Sequence, residues 1–183
     1  MLEEILRASY GLLLLKKGPQ DMPAGDSVTM GLAAVYFASS FLLLKLQGAG
    51  FGMAFLQAAV DLAILVGFVW FVLRQRGFPA RLGQTLSALL VAGLIFGLLA
   101  VPSMHNLAPY MRTVSHGGQP PAPSGGIISS YLLLMVTVVW SLAVTVHILR
   151  HALEIRAMAA FGLTILYQVC SLLIMMLLFG GGH

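Results

Sequence analysis

The sequence predicts an all-α fold, a polytopic membrane bundle of five transmembrane helices preceded by a short N-terminal interfacial amphipathic helix. Two observations carry this prediction. Only 9% of the 183 residues are charged and 59% are hydrophobic, whereas a soluble domain typically has about a quarter charged residues. The apolar residues also fall into five stretches of about 20 residues, the length needed to cross a hydrocarbon core of roughly 30 Å.

Residues 1–27 are predicted to form the interfacial helix, over about residues 2–17, and a polar linker. Apolar residues recur at helical spacing between Leu2 and Leu13, with charged residues around them. Because the apolar run is too short to span a bilayer, we expect this helix to lie in the membrane interface. An ordinary N-terminal helix packed against the bundle explains the same pattern equally well. Gly18-Pro19 ends the helix.

Residues 28–179 are predicted to form one transmembrane domain, and residues 180–183 a frayed tail. A tight turn at residues 47–50 makes the first two segments antiparallel neighbours. The third segment is expected to stop at Pro102, because proline interrupts helical hydrogen bonding. Residues 105–126, rich in proline and glycine, are expected to form the only long connection, with irregular structure. The predicted segments cover about residues 28–46, 51–73, 82–101, 127–149 and 157–179.

The distribution of Lys and Arg predicts the orientation of the chain in the membrane. Eight of the ten basic residues flank segments on one side, and only Lys45 and Arg112 lie on the other. By the positive-inside rule the N-terminus is cytoplasmic, and the C-terminus and the 105–126 loop lie outside. The predicted location is an integral membrane one, in a bacterial inner membrane. The same rule explains the net charge of +4 without a nucleic acid partner.

Polar residues inside the segments are the main candidates for a functional site. Asp61 lies near the middle of the second segment, with Gln57 one turn before it. Ser141 belongs to a Ser/Thr stripe on the fourth segment, and Gln168 lies near the middle of the fifth. We expect these faces to meet in a polar seam, because hydrogen-bonding groups are poorly tolerated against lipid.

Asp61 admits two interpretations. In the functional one it is a carboxylate that binds a proton or ion in a hydrated seam. In the structural one it is a neutral carboxyl group that forms one hydrogen bond to a neighbouring helix. The absence of a second carboxylate or a Lys or Arg within the segments favours the structural interpretation.

Gly93 and Gly97 form a GxxxG motif in the third segment. Such spacing permits close approach of helix backbones, and packing within the chain is favoured over a dimer interface.

No cofactor, metal site or catalytic residue is predicted, and the chain is not expected to be an enzyme. Cys170 is the only cysteine, so neither a disulfide within the chain nor a CxxC pair can form. His147 and His151 are one turn apart, but no other segment has a histidine in its interior to complete haem ligation. The sequence also lacks G-x-S-x-G and H-E-x-x-H motifs.

Two stretches resemble the Yip family, the Rab-interacting five-span membrane proteins and their bacterial relatives. One runs from Gly77-Phe78-Pro79 through Gln84–Ala88 to Pro102, and is similar to the family's basic loop and following helix. The other runs from Trp140 to Ala157, where a short turn leads into the last apolar helix. The resemblance implies five spans, a cytoplasmic N-terminus and a role in membrane organisation or as a partner subunit.

These features predict a non-enzymatic accessory or scaffold subunit that binds another membrane protein or organises the membrane. Its expected partners are the lipid bilayer and either another membrane protein or further copies of the chain. The alternative is a small transporter or channel for an ion, a proton or a lipid, which would use the polar seam around Asp61.

Overall fold

The computed structural model describes residues 2–23, 25–115, 117–118, 122 and 124–180, and the fold over these residues is built from α-helices without strands. Five of the helices are long and apolar enough to cross a membrane. The predicted all-α bundle is therefore confirmed, and the chain is an integral membrane protein. Residues 181–183 of the predicted tail lie outside the described residues. The α-helices are α1 (Leu2–Leu13), α2 (Asp26–Leu46), α3 (Phe51–Gln75), α4 (Leu82–Ser115), α5 (Gly125–Leu153) and α6 (Ala157–Phe179), and 3-10 turns at Pro19–Asp21 and Pro79–Arg81 precede α2 and α4.

The bundle is organised around α4. This helix contacts α2, α3 and α5, and its contact with α5 is the most extensive in the bundle. Half of the residues in the most apolar 18-residue stretch of α4 are buried. In the corresponding stretches of α2 and α6 the buried share is 0% and 6%. Helices α2 and α6 therefore lie at the periphery, where most of their surface is available to lipid or to a partner.

Helix α4 is longer than the sequence predicts. It continues through Pro102 and Pro109 to Ser115, so the expectation that the third segment stops at Pro102 is wrong. The expectation that the 105–126 connection is irregular from its start is also wrong, because residues 105–115 are helical. Each proline removes one backbone hydrogen bond, but membrane helices tolerate this where neighbouring helices support the backbone. Here α5 provides that support, because Asn106 Nδ2 donates a hydrogen bond to Ser130 Oγ at 3.1 Å. Residues 116, 119–121 and 123 of the predicted loop lie outside the described residues.

Helix α1 packs against the bundle by one face. Ala8, Ser9 and Leu12 are buried, while Leu6 and Tyr10 on the opposite face are exposed. The carbonyl at the end of α1 accepts a hydrogen bond from the indole nitrogen of Trp140 on α5, at 3.0 Å. This arrangement matches the packed interpretation of the N-terminal helix, with one face still available to the membrane interface.

Arginines from the α3–α4 loop bind the end of α5. Arg81 donates one hydrogen bond to the carbonyl oxygen of Ala152 at 3.2 Å and forms an ion pair with Glu154 at 2.6 Å. Arg76 approaches the carbonyl of Leu153 at 3.5 Å. The last carbonyls of a helix lack partners within the helix and carry partial negative charge, so cationic donors stabilise them. This end of the bundle is thereby tied together across three helices.

Candidate functional site

The carboxyl group of Asp61 is bound by a residue that sequence reasoning did not single out. The hydroxyl of Tyr36, on α2, donates a hydrogen bond to Asp61 Oδ2 at 2.7 Å. Asp61 is ten residues from the start of α3, and therefore about 15 Å along the helix axis, near mid-membrane. A phenol at this depth supplies a donor where water is scarce. The partner of Asp61 thus comes from α2.

Gly93 makes this hydrogen bond sterically possible. A Cβ atom added at Gly93 would lie 2.8 Å from Cε2 of Tyr36, closer than carbon atoms pack. The missing side chain therefore lets the aromatic ring of Tyr36 lie against α4 while its hydroxyl reaches Asp61 on α3. One tyrosine in this way joins three helices.

The contact of Tyr36 with α4 belongs to a regular interface. At one end, Thr29 Oγ1 lies 2.9 Å from Ser87 Oγ. Two turns further along α2 comes Tyr36 against Gly93, and two turns further again Leu43 lies against Gly97. Residues seven apart share a helix face. Each of these three side chains of α2 packs against a small residue of α4, which permits close approach of the two helices. The GxxxG motif thus lies against α2 within the same chain.

A second tyrosine, Tyr167 on α6, also packs against α3. Its ring packs against Phe68 with centroids 5.1 Å apart, and it is close enough to interact electrostatically with Asp61. Asp61, Tyr36 and Tyr167 are each only partly exposed. We call these three residues the Asp61 cluster. Tyr36 was not predicted, because a tyrosine within an apolar segment is equally consistent with a lipid-facing or packing role.

Among the described residues, no hydrogen bond connects the predicted seam members of α5 and α6 to Asp61. Ser141 donates its hydroxyl hydrogen to the carbonyl of Val138 in its own helix at 2.8 Å, and Gln168 has an exposed side chain. Gln57 is half-buried on α3, and among the described residues its amide makes no hydrogen bond. One member of the Ser/Thr stripe of α5, the buried Ser130, instead contacts α4, where it accepts the hydrogen bond from Asn106. The main neighbours of α3 are α2, α6 and α4 rather than α5, so the helix that has the Ser/Thr stripe is not a main partner of the helix that has Asp61.

Gln168 is placed unusually for a polar residue. It lies eleven residues from either end of α6, which puts its amide roughly 16 Å from each end of the span. Within the part of the chain that the structure describes, this exposed amide makes no hydrogen bond. An amide that deep cannot reach the head groups by extending its side chain, so its donors and acceptors stay unsatisfied unless another molecule binds them.

The two neighbouring histidines of α5 serve the packing of the N-terminal region. The rings of His147 and His151 have centroids 4.4 Å apart, and His147 Nε2 lies 3.0 Å from the carbonyl oxygen of Lys17. No group of three His, Cys, Asp or Glu side chains suited to a metal ion occurs among the described residues. These histidines therefore contact the chain that follows α1.

Comparison with known proteins finds no matching family model, no similar curated protein and no similar solved structure. The resemblance to the Yip family therefore stays a prediction from sequence.

Proposed function

We propose that this chain is a non-enzymatic subunit that binds another membrane protein through the exposed side of α6, with Gln168 as the polar anchor of the interface. The observation that carries the proposal is the exposed, unsatisfied amide of Gln168 at mid-membrane. Polar side chains at this depth stabilise helix association by about 1–2 kcal/mol in model peptides. A partner helix that hydrogen-bonds this amide would gain that stabilisation, whereas lipid chains offer neither donor nor acceptor.

The residues around Gln168 are suited to helix packing. Phe161, Ile165 and Leu172 lie at spacings of seven, three and four residues from Gln168, so all four share one strip of α6. The three apolar side chains are between 40% and 61% exposed. Within the chain α6 buries only Ala160 and Thr164 fully. Most of the surface of this helix is therefore available to a neighbour.

The proposed setting is a bacterial inner membrane with the N-terminus in the cytoplasm. The basic residues support this orientation, because Arg76, Arg81 and Arg150 lie at the end of the bundle where α3 and α5 end and α4 begins. That end would then face the cytoplasm, and the α4–α5 connection the opposite side.

Site-specific photo-crosslinking in intact membranes tests the proposal. A photoreactive residue at Leu172, one turn from Gln168, should crosslink to a partner protein. The same residue at Leu166 provides the control, because it lies two positions before Gln168 and points about 160° away from it on a helix of 3.6 residues per turn. Both positions are exposed, at 61% and 52%.

The dependence on the amide is the decisive measurement. Gln168→Leu, which retains the volume of the side chain, should reduce the Leu172 crosslink severalfold and leave the amount of folded chain in the membrane unchanged. If Leu172 and Leu166 crosslink to the same mixture of proteins at equal yield, or if Gln168→Leu has no effect, the proposal is wrong. A crosslink only to a second copy of this chain would identify the partner as the chain itself and would refute a role as a subunit of another protein.

A second candidate function is transport of a proton or cation at the Asp61 cluster. It is favoured by the position of Asp61 at mid-membrane, where its carboxyl group has a single hydrogen-bond donor, Tyr36, among the described residues. Functional carboxylates within membrane proteins occur in such places. Asp61→Asn keeps a hydrogen-bond acceptor for Tyr36 and should abolish pH-dependent flux in liposomes. Wild-type protein that moves no ion at any pH would exclude this function.

A further inference from the structure

A large groove opens between the end of α2, the second half of α4 and the first half of α5. Its volume is about 1090 Å³, slightly above the roughly 300–1,000 Å³ found for small-molecule sites. The groove begins where Leu43 lies against Gly97 and continues toward Tyr110. Helix α2 ends at Leu46 while α4 continues to Ser115, so beyond that point α4 and α5 extend without α2 beside them.

The groove extends from the hydrocarbon core of one leaflet into the head-group region. Thirteen residues separate Gly97 from Tyr110, which corresponds to about 20 Å along α4. Gly97 is four residues beyond Gly93, which lies beside Tyr36 at mid-membrane, so about 9 Å of the groove lie within the roughly 15 Å of hydrocarbon in one leaflet and the rest lies beyond it. A straight acyl chain that enters from the surface would thus extend along the groove toward Gly97. The apolar lining along this path includes Val101, Met104, Leu107, Ile128 and Leu132.

The polar side chains that line the groove are of one chemical kind. They are Gln47, His105, Tyr110 and Tyr131, all groups that can donate a hydrogen bond and none of them acidic. A ligand with several oxygen acceptors at one end and a long apolar chain at the other matches this lining.

The charges at this end of the bundle complement an anion. The six acidic residues of the sequence are Glu3, Glu4, Asp21, Asp26, Asp61 and Glu154. Asp61 lies at mid-membrane, and the other five lie before or at the start of α2, or directly after α5, at the far end from the groove. Lys45 is two residues before Gln47 in the sequence, and no carboxylate is close to the groove in the sequence. A phosphate group therefore meets hydrogen-bond donors without repulsion from an acidic side chain.

From these observations we infer that the groove between α2, α4 and α5 binds a phospholipid from the bilayer, with an acyl chain along the apolar lining and the phosphate among Gln47, His105, Tyr110 and Tyr131. This site is separate from the exposed side of α6, and it does not depend on the function proposed for Gln168. A lipid in this position would fill the space beside α4 that α2 leaves open beyond Leu46.

Native mass spectrometry of the purified full chain in detergent tests the inference. The probe is dioleoyl phosphatidylglycerol, and dioleoylglycerol, which has the same chains without phosphate, is the comparison. The wild type should retain a single phospholipid and bind dioleoylglycerol less tightly. Ala108 lines the groove, so Ala108→Trp should weaken phospholipid binding by at least about tenfold.

Leu98→Trp is the matched control. Leu98 is on the same helix, is 53% exposed and does not line the groove, so this variant should bind phospholipid like the wild type. Equal binding to Ala108→Trp and Leu98→Trp would show that the lipid sits elsewhere and would overturn the inference. Equal affinity for dioleoylglycerol and phosphatidylglycerol would overturn the assignment of the phosphate site. A dimer that forms without lipid and is abolished by Ala108→Trp would show that a second copy of the chain fills the groove.

A second variant keeps the test valid if Ala108→Trp fails to fold. His105→Leu removes one donor from an exposed position and should leave the helices intact. The loss of one hydrogen bond should weaken phosphatidylglycerol binding by about 2- to 10-fold and leave dioleoylglycerol binding unchanged. An unchanged affinity for phosphatidylglycerol would contradict the proposed position of the phosphate.

Discussion

The contact between Tyr36 and Gly93 allows a quantitative test of the packing at the Asp61 cluster. In Gly93→Ala the new Cβ would lie 2.8 Å from Cε2 of Tyr36, whereas ordinary contacts begin at 3.4 Å, so the ring must move by about 0.6 Å. The ring cannot move freely, because its hydroxyl is bound to Asp61 at 2.7 Å. Either the steric overlap remains or the hydrogen bond lengthens.

The expected change in the free energy of unfolding follows from three contributions. Overpacking in a close-packed interior costs about 1–3 kcal/mol, and weakening of one hydrogen bond costs about 0.5–1.5 kcal/mol. Replacing glycine by alanine within a helix gains up to about 1 kcal/mol. Taking the middle of the two costs and the full gain, we expect Gly93→Ala to destabilise the protein by about 2 kcal/mol.

Gly67→Ala is the matched control. Gly67 is an exposed glycine within α3, and no atom lies within 4 Å of a Cβ added there. This variant should be neutral or slightly stabilising. The assay is unfolding in mixed micelles, with the helical circular dichroism signal followed as sodium dodecyl sulfate is titrated. Equal stability of the two alanine variants would refute the interpretation of Gly93 as a space made for Tyr36.

A double-mutant cycle with Tyr36→Phe tests the role of the hydrogen bond to Asp61. Tyr36→Phe keeps the ring but removes its attachment, so the ring can turn away from a methyl group at residue 93. Gly93→Ala should then cost less in the Tyr36→Phe background, with a coupling energy in the range of about 0.5–3 kcal/mol seen for residues in contact. A cost that is identical in both backgrounds would show that the hydrogen bond does not hold the ring in place.

Three further predictions concern the contacts that hold the helices together. Arg81→Gln should lower stability by about 1 kcal/mol through loss of the α5 cap and a partly exposed ion pair. Arg74→Gln is the control, since the Arg74 guanidinium lies over the ring of Trp70 and forms no ion pair or side-chain hydrogen bond within the described part of the chain. Equal effects would contradict the capping role. Asn106→Ala should increase hydrogen exchange over residues 103–115, because α4 loses its hydrogen bond to α5 beyond the first proline; unchanged protection would show that apolar packing alone holds this segment. Trp140→Phe removes the indole donor to the end of α1 and should make residues 2–17 more sensitive to protease, while an unchanged cleavage rate would show that burial of one α1 face suffices.

Much of the fold follows from local properties of the sequence. The five spans appear near the predicted positions because mean hydropathy over about 20 residues depends on composition alone. The turn at residues 47–50 and the loop after α3 have glycines, Gly48 and Gly77, in the left-handed region of φ, as expected for tight connections. The end of the third segment could not be predicted from Pro102, because helix continuation there depends on contacts with α5.

The candidate site was less predictable than the fold. The sequence located Asp61 at mid-membrane and indicated that Gly93 permits close packing, and both features belong to the arrangement found around Tyr36. It did not indicate which residue Asp61 binds. Successive residues of a helix point about 100° apart, so the rotation of each helix in the bundle decides which side chains meet, and the sequence of one segment does not contain that rotation. Gln168 shows the consequence most clearly, because it is one residue after Tyr167 and yet lies on the exposed side of α6.

The sequence by itself determined that this protein is a helical membrane bundle, where its segments lie and which residues are polar at mid-membrane. Only the tertiary structure decided that Asp61 binds Tyr36, that Gly93 provides the space for this contact, and that Gln168 has no hydrogen-bond partner among the residues that the structure describes. The physical reason is that hydropathy and length are sums over one segment. Helix neighbours and helix rotation, by contrast, depend on packing between side chains that are far apart in the sequence.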